Sequence, residues 1–159
     1  MAPRRPALLA PVVLAAAFAL LAGPGCRGPR SGDAPRTGPP RIAVVPMGTT
    51  HEFWKSVHAG ALTAARELGA EIVWKGPLRE DDRNEQVQIV ETLAGSGIDA
   101  LVLSPLDDRA LLRPVADARR AGIPTVVFNS ALGGGEHIAY VAPDNERGGV
   151  LAARAVGEL

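Results

Sequence analysis

Four short runs of branched apolar residues, separated by segments of helical periodicity, constrain this chain more than anything else in it. Ile42 to Val45, Glu71 to Trp74, Ala100 to Leu103 and Thr125 to Phe128 begin near residues 42, 71, 100 and 125, and a helix fits in each gap. Continuous apolar runs, without the alternation of a strand wet on one side, suit strands buried on both faces. Successive strand–helix units with right-handed crossovers then build a parallel sheet covered on both faces. The expected fold is therefore α/β, a doubly wound parallel sheet of order 2-1-3-4-5. Its switch point lies near the first and third strands, and ligands are expected beyond the carboxyl ends of the strands.

The first unit, Arg41 to Leu68, shows the pattern most fully. Phe53, Val57, Ala61, Ala64 and Leu68 recur at helical spacing as one stripe, while Lys55, Arg66 and Glu67 point away from it. Thr49 followed by Glu52 has the form of a capping box, and Gly69 that of a left-handed cap. Trp54 stands one residue off the stripe, in the first turn. Further on, Val87, Ile89, Val90 and Leu93 form the inner face of a second helix, and Leu111, Leu112, Val115 and Ala116 that of a third. His137 to Val141 is a fifth strand reached without a helix. Asp144 or Asn145 caps a last helix, Arg147 to Leu159. That helix has an apolar face with nothing after it to cover it, from which the chain is expected to be a fragment.

The ends and the charge narrow the function. Basic and acidic residues number 17 each, and removing Arg4 and Arg5 with the leader leaves 15 against 17, a charge of about −2. Without a basic cluster there is no footprint for nucleic acid. Arg4, Arg5 and the apolar run Leu8 to Ala22 form an export leader, too short and wrongly flanked for a membrane span. Cys26 is the only cysteine, so no internal disulfide is available. The segment LLAGPGC before and including it resembles the lipobox of bacterial lipoproteins, which implies lipidation of Cys26 and a membrane anchor. Simple cleavage and an uncleaved anchor are the alternatives. Residues 27–40, rich in Gly and Pro, read as a tether.

Catalytic apparatus is not visible. His51 and His58 are seven apart, whereas a metalloprotease helix needs histidines four apart, so no metal site is expected. Gly133 to Gly135 precedes a strand rather than opening a helix and reads as a flexible turn, not a phosphate cradle. Ser56, Ser104 and Ser130 have no nucleophile elbow. Asp81 and Asp82 read as solvated loop, and Asp107 and Asp108 as helix caps. No cofactor is implied, and the chain is expected not to be an enzyme. What remains suits a polar small molecule: Thr50, His51, Ser104, Asn129 and Ser130 all fall at strand ends on the ligand edge. Phe53 and Trp54 offer apolar ring faces of the kind a sugar packs against, although Phe53 also heads the core stripe.

Four segments in order carry a resemblance: IAVVPMGTTHEFWKSVHAGA (42–61), GIDALVLSPLD (97–107), AGIPTVVFNS (121–130) and VAPDNERGGVLAA (141–153). Through them the chain resembles the type I periplasmic substrate-binding proteins, the ribose-binding-protein-like family that delivers sugars to ABC importers. The resemblance implies two α/β lobes joined by hinge strands that close over a ligand. It divides the chain into a leader (1–26), a tether (27–40), lobe one (41–142), and a hinge with the start of lobe two (143–159). It implies that Phe53 and Trp54 are the aromatic pair against the sugar, with Thr50 and His51 polar positions in the same turn. Asn129 and Ser130 stand where sugar binders often have an Asp-Arg pair. The expected function is an extracytoplasmic, lipid-anchored solute receptor of the periplasm or cell envelope, partnered by an ABC permease. The alternative is a ligand-sensing domain of the same fold for a chemoreceptor or sensor kinase.

Overall fold

The computed structural model describes residues 37–158, so the leader, Cys26 and the tether up to residue 36 lie outside the described residues. The elements run β1 (Arg41–Val45), α1 (Glu52–Leu68), β2 (Glu71–Trp74), α2 (Arg83–Ala94), β3 (Ala100–Leu103), α3 (Leu112–Arg120), β4 (Thr125–Phe128), β5 (Ala139–Val141) and α4 (Asn145–Gly157). All five strands are parallel, in the order β2-β1-β3-β4-β5. β1 lies inside the sheet, paired with β2 on one side and β3 on the other, and its Ala43, Val44 and Val45 are buried. β5 is short and exposed. It is joined to β4 by a loop in which Gly133 donates to the Asp108 carbonyl at 2.9 Å and Leu132 is buried. The glycine run is there for close approach: a Cβ on Gly134 would stand 2.6 Å from Leu112 Cδ2.

The two faces of the sheet are covered unequally. The step from β1 to β2 moves one way along the sheet, and the steps from β2 to β3 and β3 to β4 move the other way. Right-handed crossovers therefore put α1 on one face and α2 with α3 on the opposite face. Val45, Leu101, Leu103 and Val127 meet Val90 and Val115 there in one continuous core. Coverage of both faces, expected from the sequence, holds only in part among the described residues. α1 alone lies over its face, beside an apolar groove of about 370 Å3 lined by Ile42, Val44, Ala61, Ala64, Val102 and Phe128.

α1 also turns a different side inward from the one its apolar residues mark. Trp54 and Ala65 are buried and Val57, His58 and Ala61 half-buried, while Phe53 is 49% exposed and Leu68 78%. The stripe is thus rotated by about one residue. Trp54 contributes the largest apolar area of the first turn, and its indole N–H finds an acceptor in Glu80 Oε1 at 2.7 Å, so its burial leaves no polar group unpaired. His58 stacks on Trp74 of β2 at 4.4 Å and 17°. The capping box does not form either. The N-cap is His51, whose Nδ1 accepts from the Phe53 amide at 3.2 Å, and Thr49 Oγ1 donates to the Pro77 carbonyl instead. Gly69, at φ 66°, ends the helix in the left-handed conformation anticipated. Asp144 caps α4, accepting from the Arg147 amide at 2.9 Å.

Gln86 of α2 is fully buried and ties the carboxyl ends of the two central strands together. Its Nε2 donates to the Pro46 carbonyl at 2.9 Å and to the Ser104 carbonyl at 2.8 Å, and its Oε1 accepts from the Leu106 amide at 2.8 Å. Gln86→Leu keeps the volume and strands three backbone groups, so it should cost about 2–4 kcal/mol, each unpaired buried group costing about 1–3 kcal/mol before relaxation. Urea denaturation should show a lower midpoint with an unchanged slope.

Candidate functional site

Beyond the carboxyl ends of β1, β3 and β4 the chain brings Met47, Ser104, Asn129 and Ser130 into one cluster. Ser104 is fully buried, and the other three are half-buried. The Asn129 amide nitrogen lies 3.4 Å from Ser104 Oγ, 3.5 Å from Ser130 Oγ and 3.5 Å from Met47 Sδ, and Ser130 Oγ lies 3.5 Å from the same sulfur. The two contacts between the amide nitrogen and the hydroxyl oxygens are long for hydrogen bonds, so these groups retain capacity for a further partner. Every group in the cluster is neutral.

Asn129 is placed there by its backbone. It is the one non-glycine residue with positive φ among the described residues, at 62°. Asparagine is one of the few residues that enter this region readily. β5 holds the conformation: the Asn129 amide donates to the Val141 carbonyl at 2.9 Å, and Tyr140 Oη donates to the Asn129 carbonyl at 3.1 Å. The left-handed turn ends β4 and sends the side chain across the edge towards β3 and β1.

The turn after β1 supplies the aromatic side. Phe53 is half exposed at the start of α1 and meets Trp54 edge-on at 4.8 Å and 77°. Trp54 in turn meets Phe128 at 6.3 Å and 79°. Phe128 directly precedes Asn129, which links the rings to the polar cluster. The two aromatic candidates therefore differ: Phe53 has an open face, and Trp54 is 2% exposed with its N–H already bonded. Thr50 is exposed, but its hydroxyl donates to the Leu78 carbonyl at 3.1 Å. His51 is exposed too. As helix cap it accepts at Nδ1, which leaves the proton of the neutral ring on Nε2, free to donate outward.

Ser104, Asn129 and Ser130 are thus brought together. Phe53 and Trp54 are joined to them through Phe128, and Thr50 and His51 stand on the adjoining turn. Sequence reasoning missed Met47 and Gln86. The latter had a signal: residues 86, 89, 90 and 93 form a helical stripe in which 86 alone is polar. Asp107 caps a turn rather than α3. Its Oδ1 accepts from the amides of Arg109 at 2.9 Å and Ala110 at 2.7 Å, its Oδ2 accepts from Arg83 Nη1 at 3.1 Å, and α3 begins at Leu112 after the N-cap Leu111, with no side-chain cap. Asp82, read as solvated loop, is exposed and caps α2 by accepting from the Glu85 amide. Among the described residues no group of three or more His, Cys, Asp or Glu side chains could hold a metal ion. No described helix is long and apolar enough to cross a membrane.

Comparison with known proteins gives consistent matches. A model of the periplasmic binding protein domain matches residues 42–159. The D-ribose/D-allose-binding protein of Pseudomonas aeruginosa is 36% identical over 131 residues, covering 75% of this chain and 39% of that protein. The ribose import binding protein of Bacillus subtilis is 29% identical over 106 residues, covering 67% of this chain and 34% of that protein. Among solved structures, the periplasmic component of an ABC-type sugar transport system from Hahella chejuensis superposes with a TM-score of 0.70 at 35% identity, over 76% of this chain and 44% of that one. The chain therefore spans less than half the length of each of these relatives.

The amides of Ala110 and Arg109, with the Arg83 guanidinium, hold the Asp107 carboxyl down at about 2. A depressed carboxylate stabilises the fold above the ordinary aspartate value of about 3.9 and loses that contribution as pH falls through the folded value. An NMR titration should place the Asp107 midpoint near pH 2 with the Arg109 and Ala110 amide shifts following it, and Asp107→Asn should abolish that titration.

Proposed function

Since the chain belongs to the periplasmic binding protein domain family, we propose that it contributes one wall of the ligand cleft of an extracytoplasmic receptor that delivers a sugar or sugar-like solute to an ABC permease. The observation that carries the reading is the pairing, on one sheet edge, of an open aromatic face at Phe53 with the neutral polar cluster of Ser104, Asn129 and Ser130. A sugar ring has an apolar CH face and a rim of hydroxyls. The ring of Phe53 stacks on the first, and the Asn129 amide and Ser130 hydroxyl pair with the second, with the fully buried Ser104 behind them. Thr50 and His51 extend the polar rim, and Trp54 stands behind Phe53. The names of the relatives, ribose and allose binders among them, support the ligand class.

In this reading residues 41–142 form lobe one, the segment from 143 on enters a second lobe, and hinge closure presents the loaded form to the permease. A lipid on Cys26 holds the receptor at the membrane of the periplasm or cell envelope, with residues 27–40 as the tether. Transport rather than sensing is favoured, because the matched relatives carry transport names.

Thermal unfolding of the intact protein with D-ribose, D-allose and D-xylose tests the assignment. Ligand at a hundred times Kd adds about 2.7 kcal/mol and should raise Tm by several degrees. No shift with any carbohydrate removes the sugar reading. Phe53→Ala should weaken the bound sugar about tenfold or more, equivalent to about 1.4 kcal/mol, as read by calorimetry.

A further inference from the structure

We infer that Trp54 and Glu80 form a positioning pair, which fixes the ring of Phe53 and the turn after β1 against the loop that leaves β2, while Trp54 itself does not touch the ligand. The turn at residues 46–51 and the first turn of α1 are bound to the loop at residues 75–82 by three side-chain hydrogen bonds, two from the turn and one from the helix. Thr49 Oγ1 donates to the Pro77 carbonyl at 3.2 Å, Thr50 Oγ1 to the Leu78 carbonyl at 3.1 Å, and Trp54 Nε1 to Glu80 Oε1 at 2.7 Å. The shortest of the three is the one made by the indole.

Two glycines let the segments close to this distance. A Cβ on Gly76 would stand 2.8 Å from the Pro46 ring, and one on Gly48 would stand 2.7 Å from Glu80 Cγ. Trp54 is the middle ring of the Phe53–Trp54–Phe128 series and is 2% exposed, against 49% for Phe53. An indole so enclosed presents no face at the ligand edge. It offers Phe53 an edge-on contact, and that contact has one geometry only while the indole is held by its N–H. Glu80 thus acts on the ligand edge through two rings, without lying in the polar cluster.

The affinity arm of the test rests on the sugar-binding reading, and a second arm does not. In the intact protein, with Trp74→Phe to leave Trp54 as the sole tryptophan of this chain, D-ribose affinity is measured for Glu80→Ala, Glu80→Gln, Gly48→Ala and Trp54→Phe, and acrylamide quenching of Trp54 for the first three. Losing the hydrogen bond should weaken D-ribose about tenfold in Glu80→Ala and Trp54→Phe, and raise quenching in Glu80→Ala. Gly48→Ala, which displaces Glu80 without touching Trp54, should do the same. Glu80→Gln keeps an acceptor oxygen and should stay within about threefold of the parent in both readouts. The double variant Trp54→Phe with Glu80→Ala should bind no more weakly than either single one, because both remove the same interaction.

Parent-like affinity and quenching in Glu80→Ala overturn the pair, as do additive losses in the double variant or a Glu80→Gln as weak as Glu80→Ala. If the parent binds none of D-ribose, D-allose and D-xylose, the sugar reading fails on its own, and quenching in Glu80→Ala against Glu80→Gln still decides whether the hydrogen bond holds the indole.

Discussion

One buried amide side chain holds together the sheet edge that carries the candidate site. At the switch point of a doubly wound sheet the two central strands send their loops to opposite faces, so the backbone groups just past their ends have no ladder partners. Here those groups are the carbonyls of Pro46 and Ser104 and the amide of Leu106, and Gln86 serves all three. A glutamine suits the task because it carries two donors and an acceptor on a side chain long enough to reach past the helix that bears it. Met47 and Ser104 project from the turns so joined, and Asn129 reaches across to both. The spacing of the cluster is set from inside the core.

Strand positions were legible because a run of branched apolar residues such as Ala100 to Leu103 or Thr125 to Phe128 is a plain mark, even though these strands are fully buried on one face and half-buried on the other among the described residues. The order β2-β1-β3-β4-β5 is the one expected of a doubly wound sheet built from successive strand–helix units. The inward face of α1 was not legible. Phe53 and Trp54 are adjacent and both apolar, and periodicity alone cannot say which turns inward when one of them has an N–H whose acceptor lies 26 residues away at Glu80. Thr49 illustrates the same difficulty, since it satisfies a local capping pattern yet its hydroxyl is claimed by Pro77. Short-range patterns fail where a long-range partner competes.

The candidate site was half visible for a related reason. Ser104, Asn129 and Ser130 sit at strand ends, so topology alone gathers them, and the structure adds how closely. Met47 was hidden because a thioether has no polar signature in a sequence. Its sulfur is nevertheless the contact shared by Asn129 and Ser130. The cluster combines a soft polarizable atom with small neutral donors, a surface that can adapt to a ligand more readily than a rigid charged clamp.

The left-handed backbone at Asn129 also restricts how the proposed binding surface can evolve. A side chain at φ 62° is tolerated cheaply only for glycine and, to a lesser degree, asparagine or aspartate. Inheritance at this position is thus a choice among a neutral amide, a carboxylate and bare backbone. Lineages that shift from one solute to another must pass through that three-letter alphabet, or rebuild the corner between β4 and β5 that enforces it. Diversification of the ligand then falls more freely on Ser130 and Phe53, whose backbones carry no such restriction.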